Sequence, residues 1–199
     1  LGLFEHPFPS EDWIERVGTE ENRMKAADAA EESIVLLRNE KNALPAETPS
    51  TILVAGPTAD NKRNLSGGWT LAWQGADESR YPDDMMTILD ALKTEFPNAD
   101  IQQIGDSPSI RQFDDADLIV YAGGEEPYTE FVGNISDLTL PKNQLNDVNR
   151  LSESDTPLVL VLIQGRPRVI TSIVDQTDGI LHAGLPGFEG AGAIAGIIS

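Results

Sequence analysis

The sequence predicts an α/β fold, a mostly parallel sheet sandwiched between helices. Three observations predict it. Short runs of strand length, TILVA at 51–55, DLIVYA at 117–122 and LVLVLI at 158–163, are apolar almost throughout, as strands buried on both faces are. Stretches with helical apolar spacing alternate with them, which is the pattern of βαβ units. Glycine or proline closes the first two runs, at Gly56–Pro57 and Gly123–Gly124. A chain of 199 residues that is 40% hydrophobic is long and apolar enough for one domain with a substantial core.

Residues 1–19 mix Pro7, Pro9, Asp12, Trp13 and Glu15 and read as a connecting segment with about one helical turn. From Glu20 to Asn39 the spacing of Met24, Ala27, Ala30, Ile34 and Leu37 predicts one helix face. Residues 41–50 form a polar loop. Residues 1–48 are therefore expected to be an interdomain linker with a lead-in helix, and 49–199 the α/β domain. After the strand at 51–55 comes a long loop, 56–82, with six glycines or prolines. Met85–Phe96 reads as a helix with Asp83–Asp84 as its cap, 101–104 as a weak strand, and 117–122 as a strong one. A second long loop runs to Pro141, which suits the first turn of a helix ending near Leu151. The strand at 158–163, a further strand at 179–183 and a small-residue helix from Phe188 complete the order. The chain opens on Leu1 and ends on Ser199 in an apolar run, so the domain is expected to be truncated at its C-terminal end.

Composition narrows the partners. A net charge of −19 repels nucleic-acid phosphates and anionic lipid headgroups. No apolar run approaches the roughly 20 residues of a membrane helix, and neither nucleic acid nor membrane is expected as a partner. The chain has no cysteine, which removes disulfides, thiol nucleophiles and cysteine-based zinc sites.

In parallel sheets ligands bind at the carboxyl ends of the strands. The two long loops both leave such ends, so they should lie side by side. The first contains Trp69 and Trp73 in a run of glycine and polar residues, outside any apolar periodic segment. Such rings either present a face to a sugar or pin the loop to the domain. The second begins Gly123-Gly124-Glu125-Glu126-Pro127-Tyr128-Thr129-Glu130, with three carboxylates in six residues. Glycosidic cleavage needs one carboxylic acid and one carboxylate. An acidic chain also places acids here by composition, and the pattern alone does not choose among the three. Glu130 stands farthest from the strand end and is freest to reach a partner. Other candidates fall away. Gly190, Gly192 and Gly196 miss the dinucleotide fingerprint spacing and read as close helix packing. His182 lies within a strand, His6 in the linker, and Ser66 has no nearby base.

The stretches GGWTLAWQG, GGEEPYTE and LPGFEG, in this order, resemble the exo-acting β-glucan glucohydrolases and β-glucosidases of glycoside hydrolase family 3. LGLFEHPF is similar to the segment leaving that family's first domain, and AADAAEESIVLLRNEKNALP to the lead into its second. The resemblance covers nearly the whole chain. It implies a six-stranded α/β sandwich that packs against a (β/α)₈-like domain, absent from this chain, which carries the nucleophilic aspartate. It implies a retaining exo-β-glucosidase or exo-1,3(1,4)-β-glucanase acting on terminal β-D-glucosyl residues of β-glucan oligosaccharides, without metal or cofactor. By the same resemblance Glu130 is the acid/base and Trp73 stacks on the next sugar. Trp69 is its neighbour there, and Glu125, Glu126 and Tyr128 support the site. The fragment alone is then expected to be inactive, and its parent periplasmic or extracellular. Subgroup members often carry cysteine where Ser66 stands, so a disulfide is not available here. The alternative is a non-catalytic α/β scaffold that binds glucan through its tryptophan loop.

Overall fold

The computed structural model describes residues 2–105 and 113–199. Six strands form one sheet: β1 (Val35–Asn39), β2 (Thr51–Ala55), β3 (Asp100–Gln103), β4 (Leu118–Gly124), β5 (Leu158–Ile163) and β6 (Gly179–Gly184). Their order is β1-β6-β5-β4-β2-β3. All neighbours run parallel except β1, which pairs antiparallel with β6. The helices that flank the sheet include α1 (Glu20–Ser33), α2 (Arg63–Ser66), α3 (Ile88–Glu95), α4 (Lys142–Leu151) and α5 (Gly190–Ile198).

The apolar runs are continuous because both faces of the sheet are covered. Ile52, Val54, Val120, Ala122, Val161 and Leu181 point to one side, where Ile88 and Leu92 of α3 and Ile194 and Ile198 of α5 meet them. Leu53, Ile119, Tyr121, Leu160, Leu162 and Ile180 point to the other, against Val148 and Leu151 of α4 and Ile173. Each buried aliphatic side chain stabilises the fold by about 1.5–3 kcal/mol, so the two layers together outweigh any single helix propensity.

Two local expectations are corrected. The helix expected over 20–39 stops at Ser33, and residues 35–39 form β1. The sheet thus reaches into the stretch expected as a linker. Val35 pairs with His182 and Asn39 with Gly179, with an irregularity between Leu36 and Arg38. The edge of β6 offers unpaired backbone groups, and the β-branched pair Ile34–Val35 suits an extended chain better than a helix. α1 is thinly anchored as a result: Ala30 is its one buried residue, and Met24 is exposed. The cap of α3 is Thr87, not Asp83–Asp84. Thr87 and Asp90 form a reciprocal capping box, while Asp84 pairs with Arg23 of α1 at 2.8 Å. Close packing, expected of the glycines of α5, holds at Gly190, where a Cβ would overlap the Pro186 ring; a Cβ on Gly192 would make an ordinary contact with Met86, and one on Gly196 would meet open space.

Candidate active site

β2 and β4 are parallel neighbours, so their carboxyl ends meet at one edge. The strand order also changes direction there, since β3 lies to one side of β2 and β4 to the other. Gly56 takes a left-handed conformation (φ 100°), and a Cβ there would overlap the Ala122 carbonyl. Only glycine lets the two strand ends pass so closely.

The first loop folds back on itself. α2 leads into a tight turn in which the Trp69 N–H donates to the Trp73 carbonyl at 2.9 Å. Trp69 and Leu71 both adopt positive φ, 60° and 56°. Tyr81 is buried and donates its hydroxyl to the Gly75 carbonyl at 2.9 Å, closing the base of the turn. Both indoles are left outside, Trp69 68% and Trp73 46% exposed. The 185–190 segment supports this loop: Gly187 N–H donates to Leu65 O at 2.9 Å, and Phe188 packs on Tyr81 with ring centroids 6.1 Å apart.

The second loop is fixed at its root and along its length. Gln144 of α4 both accepts from Gly124 N–H (2.8 Å) and donates to Gly124 O (2.9 Å). The three carboxylates then have three different surroundings. Glu125 is buried, its side chain 7% exposed, and its Oε1 accepts from both Arg166 Nε and Arg168 Nη1 at 2.8 Å. Glu126 receives the fork of Arg63 at 3.0 and 3.2 Å, from the opposite loop. Glu130 is exposed, and its carboxylate has no hydrogen-bond or ion-pair partner among the described residues. It is the first residue of a single 3₁₀ turn, Glu130–Gly133, and sits at φ 53°, an unusual conformation for a residue with a side chain. Tyr128 lies beneath, its ring 4.0 Å from the Arg166 guanidinium carbon. Burial, with the Glu125 charge adding, holds its phenol above the ordinary range.

The loops touch directly. Thr129 N–H donates to Gln74 Oε1 at 2.9 Å, Asn64 Nδ2 to the Glu125 carbonyl at 2.6 Å, and a Cβ on Gly68 would overlap the Tyr128 carbonyl. Trp73 meets Phe131 edge to face, centroids 6.3 Å apart. All six residues singled out from the sequence therefore sit on these two adjoining loops. Sequence reasoning missed Phe131, Arg63, Arg166 and Arg168. The signal for Phe131 was available, an aromatic directly following the last glutamate. The arginines gave none, because their partners lie across the fold. Glu125 and Glu126 are each matched by arginine, so neither presents an unbalanced negative charge to Glu130.

What the arrangement can do chemically is offer one uncommitted carboxylate beside exposed aromatic faces. Known proteins resemble this chain along its whole length. The glycosyl hydrolase family 3 C-terminal domain matches residues 34–199. The chain is 35% identical over 218 residues to a lysosomal beta glucosidase of Dictyostelium discoideum, covering all of this chain and 27% of that protein. It is 28% identical to a periplasmic beta-glucosidase of Salmonella typhimurium, covering all of this chain and 30% of that one. Among solved structures, an exo-1,3/1,4-beta-glucanase from a Pseudoalteromonas species superposes with a TM-score of 0.83 at 31% identity, over 92% of this chain and 23% of that one. A beta-glucosidase from Listeria innocua in complex with isofagomine gives 0.82 at 26%, over 100% and 28%. The chain thus spans less than a third of the length of each of these proteins. Among the described residues no helix is long and apolar enough to cross a membrane.

Proposed function

This chain belongs to glycosyl hydrolase family 3, as a C-terminal domain of such an enzyme, and we propose that Glu130 is the acid/base of a retaining exo-β-glucosidase or exo-1,3(1,4)-β-glucanase. The single observation that carries this reading is the sorting of the carboxylates. Glu125 and Glu126 are held by arginines, and Glu130 alone is uncommitted. The exo-1,3/1,4-beta-glucanase relative supports the substrate class.

On this reading a separate domain of the parent enzyme packs against the 56–82 and 123–140 edge and brings the nucleophilic aspartate. Glu130 protonates the glycosidic oxygen as the leaving sugar departs, then removes a proton from the water that resolves the glycosyl-enzyme. Trp73, with Trp69, holds the leaving sugar. An open carboxyl gains the water-excluded setting that acid work needs only when substrate and the opposing domain cover it. The periplasmic and lysosomal relatives support a periplasmic or extracellular parent.

The test is a kinetic series in the full-length enzyme over leaving groups of graded pKa. Glu130→Ala should lose about 10²–10⁴ in turnover of poor leaving groups, spare glycosylation by very good ones, and regain turnover with azide. A loss of the same factor for every leaving group, or leaving-group dependence in Glu125→Ala instead, would show that the wrong carboxylate is named.

A further inference from the structure

We propose that Arg166 is the positioning residue of the acid loop, holding the turn that carries Glu130 in register for proton transfer without touching the sugar. The inference rests on the acid/base reading of Glu130 given above. Its basis is the way one guanidinium brackets that residue. Arg166 Nε donates to Glu125 Oε1 at 2.8 Å, its Nη1 donates to the Gly133 carbonyl at 2.6 Å, and its carbon lies 4.0 Å from the centre of the Tyr128 ring. Two of those contacts precede Glu130 in sequence and one follows it.

The same turn is closed from the other side. Gly133 packs so tightly on the Tyr128 ring that a Cβ there would overlap it, so the ring is held between Gly133 and the guanidinium. Arg168 secures the outer part of the loop, with Nη1 on Glu125 Oε1 at 2.8 Å and Nη2 on the Thr139 carbonyl at 2.6 Å. Glu125 is thus the hub, and the segment that follows β5 is the frame on which the β4 loop is stretched.

A left-handed residue at the tip needs such a frame. Glu130 at φ 53° is an unfavourable conformation that relaxes unless its surroundings over-determine it. An arginine is required rather than a lysine. The planar fork serves two acceptors in different directions while its face stays on the ring, and an ammonium on a flexible stem does not reproduce that geometry. None of the contacts of Arg166 is to Glu130, Trp69 or Trp73. Its loss should therefore act on the proton-transfer step and not on the binding of aryl glucosides, which have no second sugar to lie on Trp73 or Phe131.

The experiment uses the full-length enzyme and compares Arg166→Ala and Arg166→Lys with Glu130→Ala across the same leaving groups. Misplacing a catalytic group by about 1 Å costs on the order of 10²-fold. Arg166→Ala should lose about that factor in kcat for poor leaving groups, with KM little changed and good leaving groups largely spared. Arg166→Lys should show the same selectivity at smaller size, and it keeps the test decisive where the alanine variant does not fold. A loss equal for all leaving groups in the lysine variant, or no loss in it, overturns the proposal. If Glu130→Ala itself shows no selectivity, the acid assignment falls first, and the two failures are told apart by that reference.

Discussion

At the residue scale the aromatic rings make the sharpest expectation. Trp73 and Phe131 meet edge to face and both stand open, Phe131 67% exposed. A sugar that lies on one ring has the other along its edge. An aromatic contact is worth about 0.5–1.5 kcal/mol, or two- to tenfold in KM. In the full-length enzyme Trp73→Ala and Phe131→Ala should raise KM for oligosaccharides by that order while leaving aryl glucosides, which lack a second sugar, near wild type. Equal effects on both substrate classes would remove these rings from the leaving-group side. The carboxylates differ in a second measurable way. Breaking a buried pair such as Glu125 with Arg166 and Arg168 costs about 3–5 kcal/mol, whereas a partly exposed pair such as Glu126 with Arg63 is worth about 0–1 kcal/mol. Thermal unfolding should therefore punish Glu125→Ala severely and Glu126→Ala barely; a comparable fall in both would refute the clamp. The sequence placed all three glutamates and both tryptophans on two adjoining loops, as the structure does, because strand ends and glycine clusters are local signals. It did not choose among the glutamates. Their different surroundings come from Arg63, Arg166 and Arg168, which lie about 40 or more residues away and enter only through the fold.

At the element scale the two loops act as one piece, joined by contacts that leave no room for a side chain. Gly68→Ala would set a methyl group on the Tyr128 carbonyl and force the loops apart. In the full-length enzyme the expected result is a fold that keeps its far-ultraviolet dichroism and much of its melting temperature but loses activity. Unchanged kinetics would mean that the loops need not touch. Strands buried on both faces were readable from composition alone, and β5 occupies the expected 158–163. β1 was not readable, since Ile34 and Leu37 fit a helical period as well as a strand. Only the vacant edge of β6, far later in the chain, decides between them.

At the scale of the whole molecule all three tyrosines are shielded. Burial, then the charge of Glu78, raises Tyr81; burial, then Asp147, raises Tyr121; burial, then Glu125, raises Tyr128. The folded phenols hold protons that the unfolded chain releases near pH 10.0. Stability from this source is therefore intact below that pH and drains away as pH climbs past it. Tyrosinate absorbance near 295 nm should appear together with unfolding; normal titration in a chain still folded would contradict the burial described. The pairing of β1 with β6 has a consequence in time as well as in space. During synthesis β1 is the first of these six strands to leave the ribosome, yet its one neighbour is the last of them. From Asn39 to Gly184 is 184 − 39 = 145 residues, roughly 7–30 s of translation at about 5–20 residues per second. Throughout that interval Val35, Leu36 and Leu37 wait as an apolar, unpaired ribbon while β2, β3, β4 and β5 can already zip together. This domain is then most exposed to aggregation, or most dependent on a chaperone, at its first strand.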